Sequence, residues 1–156
     1  MPAIDWLKRT PIAHRGLHDL NKKCWENTLS AFDSAASAGF AIECDVHLSA
    51  DGKALVFHDG TLDRVTGRPG DIDALTASQA AELRIGQTQD HIPTLAEALK
   101  LIAGRVPIVV ELKGTEGRDD DLVKAVAGDL AAYDGQAAIM SFDHHIIRRF
   151  GKDAPG

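Results

Sequence analysis

Apolar positions along the chain fall into short runs broken by polar, glycine-bearing stretches. Five runs have strand length: "TPIAHRG" from residue 10, "FAIECDVHL" from 40, "ALVFHD" from 54, "VPIVVELKG" from 106 and "QAAIMSF" from 136. Between them lie stretches with helical spacing. "LSAFDSAASAG" follows a cap at Asn27 or Thr28 and stops at Gly39. Thr76 caps a short helix "ASQAAEL", and Pro93 opens "TLAEALKLIAG", which Gly104 ends. "DDDLVKAVAGDLAAYDG" carries acids in its first turn, and Asp143 caps "DHHIIRRFG". The segment 60–86 is turn-rich.

Strands alternating with helices predict an α/β fold with a largely parallel sheet. One connection breaks the rule. "SADGK", residues 49–53, carries the turn signal Asp51-Gly52 and is too short for a parallel crossover. Either strands two and three pair antiparallel, or the first of these runs folds back. There is no internal repeat, low-complexity tract or linker, so 1–156 reads as a single domain.

Composition narrows the class. The 156 residues are 44% hydrophobic and 26% charged, as in ordinary globular proteins. A net charge of −6 argues against nucleic acid or an anionic membrane as the main partner. Cys24 and Cys44 form no close pair and read as free thiols, which fits a reducing compartment. The N-terminal segment has no apolar leader core and no run spans a bilayer, so the expectation is a cytoplasmic protein without membrane insertion.

The chemistry gathers at strand ends. Glu43 and Asp45 have one parity, so in a strand they leave on one face. Glu111 and Lys113 do the same. His14 and Arg15 end the first strand; His58 and Asp59 end the third. In parallel α/β folds the C-terminal strand edge is where sites are built. Three converging carboxylates would repel one another unless a cation sits among them. Oxygen ligands suit one hard divalent ion, Mg²⁺ or Ca²⁺, and no Cys/His spacing matches zinc. Two imidazoles can act as general acid and base. Arg15 and Lys113 offer positive charge to a phosphate. Together these describe phosphoryl-ester chemistry; no Ser or Cys sits in a nucleophile motif. Each residue also has a plainer reading: rim charges at Glu43 and Asp45, a core histidine at His14, an ion pair between Glu111 and Lys113. His144 and His145 read as surface residues, and His47 shares the parity of Asp45.

"AHRG", "ENTLSAF", "ECDVHLSADG", "VFHDGTLDRVTG", "IPTLAEAL" and "VELK" resemble, in order, the motifs of the glycerophosphodiester phosphodiesterases, from about Pro11 to Phe142. The resemblance implies a TIM (β/α)₈-barrel with a small insertion, here within about 60–91. It implies metal-dependent hydrolysis of glycerophosphodiesters to glycerol 3-phosphate and an alcohol. By motif, His14 and His58 match the catalytic pair, and Glu43, Asp45 and Glu111 the metal ligands. Arg15 and Lys113 match substrate phosphate contacts, and Glu26 an acid near the site. Trp25 stands where the family usually has proline.

A full barrel needs about 250 residues. The expectation is therefore an open, partial barrel of about five strand–helix units, truncated at its C-terminus, with possible self-association through open edges. The alternative function is a non-catalytic fragment that binds metal and phosphate but lacks a complete substrate pocket. A phospholipase acting on whole lipids is disfavoured.

Overall fold

The computed structural model describes residues 4–153. Residues 1–3, part of the segment read as lacking a leader core, and 154–156 lie outside it. The described chain runs α1 (Trp6–Arg9), β1 (Ile12–His14), α2 (Leu29–Ala38), β2 (Ala41–Leu48), β3 (Ala54–Val56), α3 (Asp63–Thr66), a 3₁₀ turn at Ile72–Ala74, α4 (Ala77–Glu82), α5 (Leu95–Ile102), β4 (Ile108–Leu112), α6 (Asp119–Ala131), β5 (Ala137–Met140) and α7 (His144–Asp153). All five predicted strands form. The short α1 and α3 were not anticipated.

Four strands run parallel in the order β1-β2-β4-β5. The fifth, β3, pairs antiparallel with the far end of β2, through Val46↔Val56, His47↔Leu55 and Leu48↔Ala54. The tight turn at Gly52 (φ 82°) leaves no length for a crossover, so the antiparallel alternative holds. At Val46, β2 pairs with both Leu112 and Val56, so β3 lies on the same side of β2 as β1. His58 therefore follows a strand that folds back, two residues past its end at Val56. This is the antiparallel one of the two routes that the sequence left open.

Strand parity divides the molecule. Ile42, Cys44, Val46, Leu48, Ile108, Val110 and Leu112 pack with α2, α5, α6 and α7 in the main core. The alternate positions, Glu43, Asp45 and Glu111, face the other way. A second, smaller core of Leu55, Phe57, Leu62, Val65, Ile72, Ala80, Ile85 and Ile92 holds the turn-rich segment together, with Trp25 packed against it.

Caps set the helix starts. The Thr28 side chain accepts the Ala31 N–H, an interaction worth about 1 kcal/mol, and Gly39 closes α2 in the left-handed conformation. Pro93 does not open α5. Thr94 does, because its hydroxyl accepts Glu97 N–H at 3.1 Å while the Glu97 carboxylate accepts Thr94 N–H at 2.8 Å. At the other end Ala103, not Gly104, is the cap residue, with φ 50°. Asp143 Oδ1 accepts the His145 N–H at 2.8 Å and starts α7. Among the described residues no helix is long and apolar enough to cross a membrane.

Candidate active site

Register brings the carboxylates together. Asp45 is the cross-strand partner of Glu111, and Glu43 of His14. In-register neighbours share a face, so sequence positions far apart stand side by side. Glu43, Asp45 and Glu111 are all buried, and one oxygen from each lies within 4.8 Å of the others. Two oxygens on opposite sides of a calcium-sized ion stand about 5 Å apart. Glu43 Oε1 is buried and accepts no hydrogen bond, and Asp45 Oδ1, equally buried, has no hydrogen bond and only the Lys113 ammonium 3.5 Å away. Buried carboxylate oxygens without donors are costly unless a cation meets them. The donor set, its spacing and its unmet acceptors fit a hard divalent cation.

The electrostatics agree. Burial pushes the Glu43 carboxyl up to about 7, with Asp45 and Glu111 adding repulsion against the Arg15 N–H bond at 3.0 Å. Lys113 Nζ stands 2.7 Å from Glu111 Oε1 and 3.5 Å from Asp45 Oδ1. Burial opposes its charge, but these two acids raise its pKa overall.

The loops after β1 and before α2 supply the next layer. Arg15 (φ 59°) and Asn27 (φ 53°) both adopt the left-handed region, uncommon for residues with a side chain. Asn27 N–H donates to the Arg15 carbonyl at 2.9 Å, locking the two turns together. Gly16 follows at φ 82°, and a Cβ there would lie 2.8 Å from the Ala31 Cβ. Only glycine lets α2 pack this close behind the "HRG" turn. Arg15 Nη1 donates to Glu26 Oε2 at 2.6 Å, and its Nε lies 3.5 Å from Asp45 Oδ2. Burial pushes the Glu26 carboxyl up, but hydrogen bonds from Arg64, Asn21 and Arg15 outweigh it and hold the pKa at about 2.

The two histidines differ in setting. His14 is largely exposed, its Nε2 3.9 Å from Glu43 Oε2. His58 is half-buried and its Nδ1 lies 2.8 Å from Asp59 Oδ1. The Arg64 guanidinium, with help from His58, holds the Asp59 carboxyl at about 2 against the effect of burial. His47 spends its Nε2 on the His58 carbonyl at 2.8 Å. Desolvation lowers its pKa, so this buried ring favours the neutral form.

Asp143, His144 and His145 also bring ligand atoms within 4.8 Å. However, Asp143 caps α7, and both imidazoles are exposed, as the surface reading expected. The positive end of a helix disfavours a cation there.

Three residues of the network lay outside the sequence-derived site. Asn27 was weighed only as a helix cap, Asp59 only as strand-end polarity, and Arg64 had no role. All three sit inside the quoted "ENT" and "HDGTLDR" stretches, and that adjacency was the available signal.

Comparison with known proteins completes the picture. The profile of the Glycerophosphoryl diester phosphodiesterase family matches residues 14–155. A glycerophosphodiester phosphodiesterase of Caldanaerobacter subterraneus is 34% identical over 96% of this chain and 64% of its own length. An Oleispira antarctica phosphodiesterase, solved with the product sn-glycerol-3-phosphate, superposes with a TM-score of 0.84. Its identity is 30%, covering 92% of this chain and 62% of that one. A glycerophosphodiester phosphodiesterase of Thermotoga maritima gives a TM-score of 0.76 at 30% identity, covering 93% and 59%. The chain thus spans about three-fifths of the length of these proteins. Its parallel strands and helices form part of a (β/α)₈ barrel.

Proposed function

Because the chain belongs to the glycerophosphoryl diester phosphodiesterase family, we propose that it contributes the acid/base and metal-holding residues for hydrolysis of glycerophosphodiesters to glycerol 3-phosphate and an alcohol. The observation that carries this is the meeting of Glu43, Asp45 and Glu111 next to His14. His58 Nδ1 lies 2.8 Å from Asp59 Oδ1, just past the returning strand, so that Asp59 can orient the ring. The substrate class follows the family and the product held by the Oleispira protein.

Glu43, Asp45 and Glu111 would hold one divalent cation, Mg²⁺ or Ca²⁺, which when bound supplies positive charge to the phosphoryl oxygens. Arg15 and Lys113, beside the same carboxylates, add fixed cationic groups for the phosphate. One of the two histidines takes the proton from the glycerol hydroxyl next to the phosphate. That oxygen bonds to phosphorus as the bond to the leaving alcohol breaks, and the other histidine protonates the departing oxygen. Water then opens the cyclic phosphate with the roles exchanged. If His58 donates Nδ1–H to Asp59, Nε2 is left for proton transfer. Glu26 keeps Arg15 in place.

Glycerol 3-phosphate release from glycerophosphocholine by the purified chain tests this, with Mg²⁺ or Ca²⁺ and with EDTA. Metal-dependent release supports the hydrolase. Metal binding in calorimetry without any turnover would favour the binding-only alternative.

A further inference from the structure

Arg64 lies on α3, in the turn-rich segment, and touches none of the three clustered carboxylates. Its guanidinium nevertheless joins two parts of the site. Nε donates to Asp59 Oδ2 at 2.8 Å and Nη2 to Asp59 Oδ1 at 3.0 Å. This is the two-pronged fork that Arg makes to a carboxylate and Lys cannot. The third nitrogen, Nη1, donates to Glu26 Oε1. Asp59 Oδ1 faces His58 Nδ1 at 2.8 Å, and Glu26 Oε2 accepts from Arg15 Nη1 at 2.6 Å. An unbroken chain of charged contacts therefore runs His58–Asp59–Arg64–Glu26–Arg15.

The backbone under Arg64 is firmly placed. Its neighbour Val65 is buried in the second core with Leu62 and Ile72. Gly67 closes α3 with φ 68°, and Gly86 N–H donates to the Val65 carbonyl at 2.8 Å. On the other side Asn21 holds Glu26 twice, through Nδ2 to Oε1 at 2.8 Å and from Glu26 N–H to Oδ1 at 2.7 Å. The Glu26 carboxylate is thus anchored from a second direction, whereas the Asp59 carboxylate has Arg64 on one side and the His58 ring on the other.

We propose that Arg64 is a positioning residue: it fixes Asp59 so that His58 keeps its proton on Nδ1, and ties that imidazole to the Glu26–Arg15 pair on the phosphate side. The second core would then serve to hold the guanidinium still. The ordinary alternative is a partly exposed ion-pair network. Such a network contributes little stability and has no bearing on the imidazole. The two differ in what happens to His58.

The tautomer reading needs no activity; only its turnover arm rests on the hydrolase reading above. In the ¹⁵N-labelled 156-residue chain, the His58 ring nitrogens are followed by long-range ¹H–¹⁵N correlation at a pH where the ring is neutral, with His58→Gln to assign the signals. The parent protein is expected to hold mainly the Nδ1–H tautomer. In Arg64→Ala the ratio of Nδ1–H to Nε2–H should fall by about threefold or more, since the Asp59 carboxylate loses its fork. Arg64→Lys keeps the charge but cannot grip both carboxylates, so it should not restore the parent ratio. If the parent hydrolyses the diester, kcat should fall roughly 10- to 100-fold in Arg64→Ala with little change in KM. A parent-like tautomer in a folded Arg64→Ala protein overturns the proposal. Should that variant not fold, Arg64→Lys decides: a parent-like ratio overturns it and a shifted ratio supports it. A parent without turnover removes the hydrolase reading and leaves the tautomer result to stand on its own.

Discussion

Asn27 holds Asp45 from two directions: its Nδ2 donates to Asp45 Oδ2 at 3.0 Å, and its Oδ1 lies 3.4 Å from the Asp45 N–H. One side chain thus fixes both backbone and carboxylate of a residue that is fully buried among acids. Groups that orient a ligand typically change metal affinity by 10- to 100-fold when removed. Asn27→Gly tests this without a backbone penalty, because glycine accepts φ 53° freely. The expected result in calorimetry is Ca²⁺ or Mg²⁺ affinity weaker by about tenfold. Unchanged affinity would show that Asn27 serves only the turn.

The Glu43 carboxyl, raised from 4.5 to about 7, makes metal binding depend on pH. Below about 7 a proton must leave before a cation can bind, so affinity should climb with pH and level off above that value. The sign for stability is opposite to the usual acid case. The folded state holds its proton more tightly than the unfolded chain. Metal-free stability is therefore highest below about 4.5 as far as this group is concerned, and is lost as pH rises towards about 7. The loss is on the order of 3 kcal/mol at about 1.4 kcal/mol per pH unit. Denaturant titrations in EDTA should show Glu43→Gln more stable than the parent at pH 8, whereas added Ca²⁺ or Mg²⁺, without EDTA, should stabilise the parent and not the variant. A parent whose metal-free stability is flat from pH 5 to 8 would sink this account.

Two glycines with similar φ separate backbone strain from crowding. Gly16 (φ 82°) and Gly39 (φ 78°) both sit in the left-handed region, but only at Gly16 would a Cβ meet neighbours, Ala31 Cβ at 2.8 Å and Phe32 Cδ1 at 3.0 Å. Gly39→Ala should cost about 1 kcal/mol from strain alone. Gly16→Ala adds overpacking of roughly 1–3 kcal/mol and pushes the Arg15 turn away from α2. Thermal melts should rank Gly16→Ala well below Gly39→Ala. Equal melting temperatures would mean that α2 yields without resistance.

If the reaction passes through attack by the substrate's own hydroxyl, a diester lacking that hydroxyl should turn over far more slowly. His58→Ala should likewise lose orders of magnitude in turnover while calorimetry still shows the metal bound. Equal rates on the deoxy diester would point to attack by water, and near-normal activity of His58→Ala would remove that imidazole from the chemistry.

Much of this molecule was legible because its signals are local. The five strands, the caps at Thr28 and Thr76, and the shared face of Glu43 and Asp45 follow from periods of two and 3.6 residues and from short side chains bonding nearby N–H groups. The helix start at Thr94 was missed by one residue, because the capping box with Glu97 outcompetes the proline signal. The route of His58 was left open at its turn, since the turn forbids a crossover but does not say which edge of β2 the returning strand takes.

What the sequence by itself determined was the α/β class, the alternation that sends acids to one face and Ile42, Val46 and Val110 to the other, and the residue types suited to a hard cation and a phosphate. Only the tertiary structure decided which of them meet. Register set Asp45 beside Glu111 and Glu43 beside His14. The packing of a second core carried Arg64 to Asp59 and Glu26. Helical and strand periods are written in neighbouring residues and are readable one window at a time. A contact across strands or between Glu26 and Arg64 depends on how whole elements dock, and no local pattern encodes that distance.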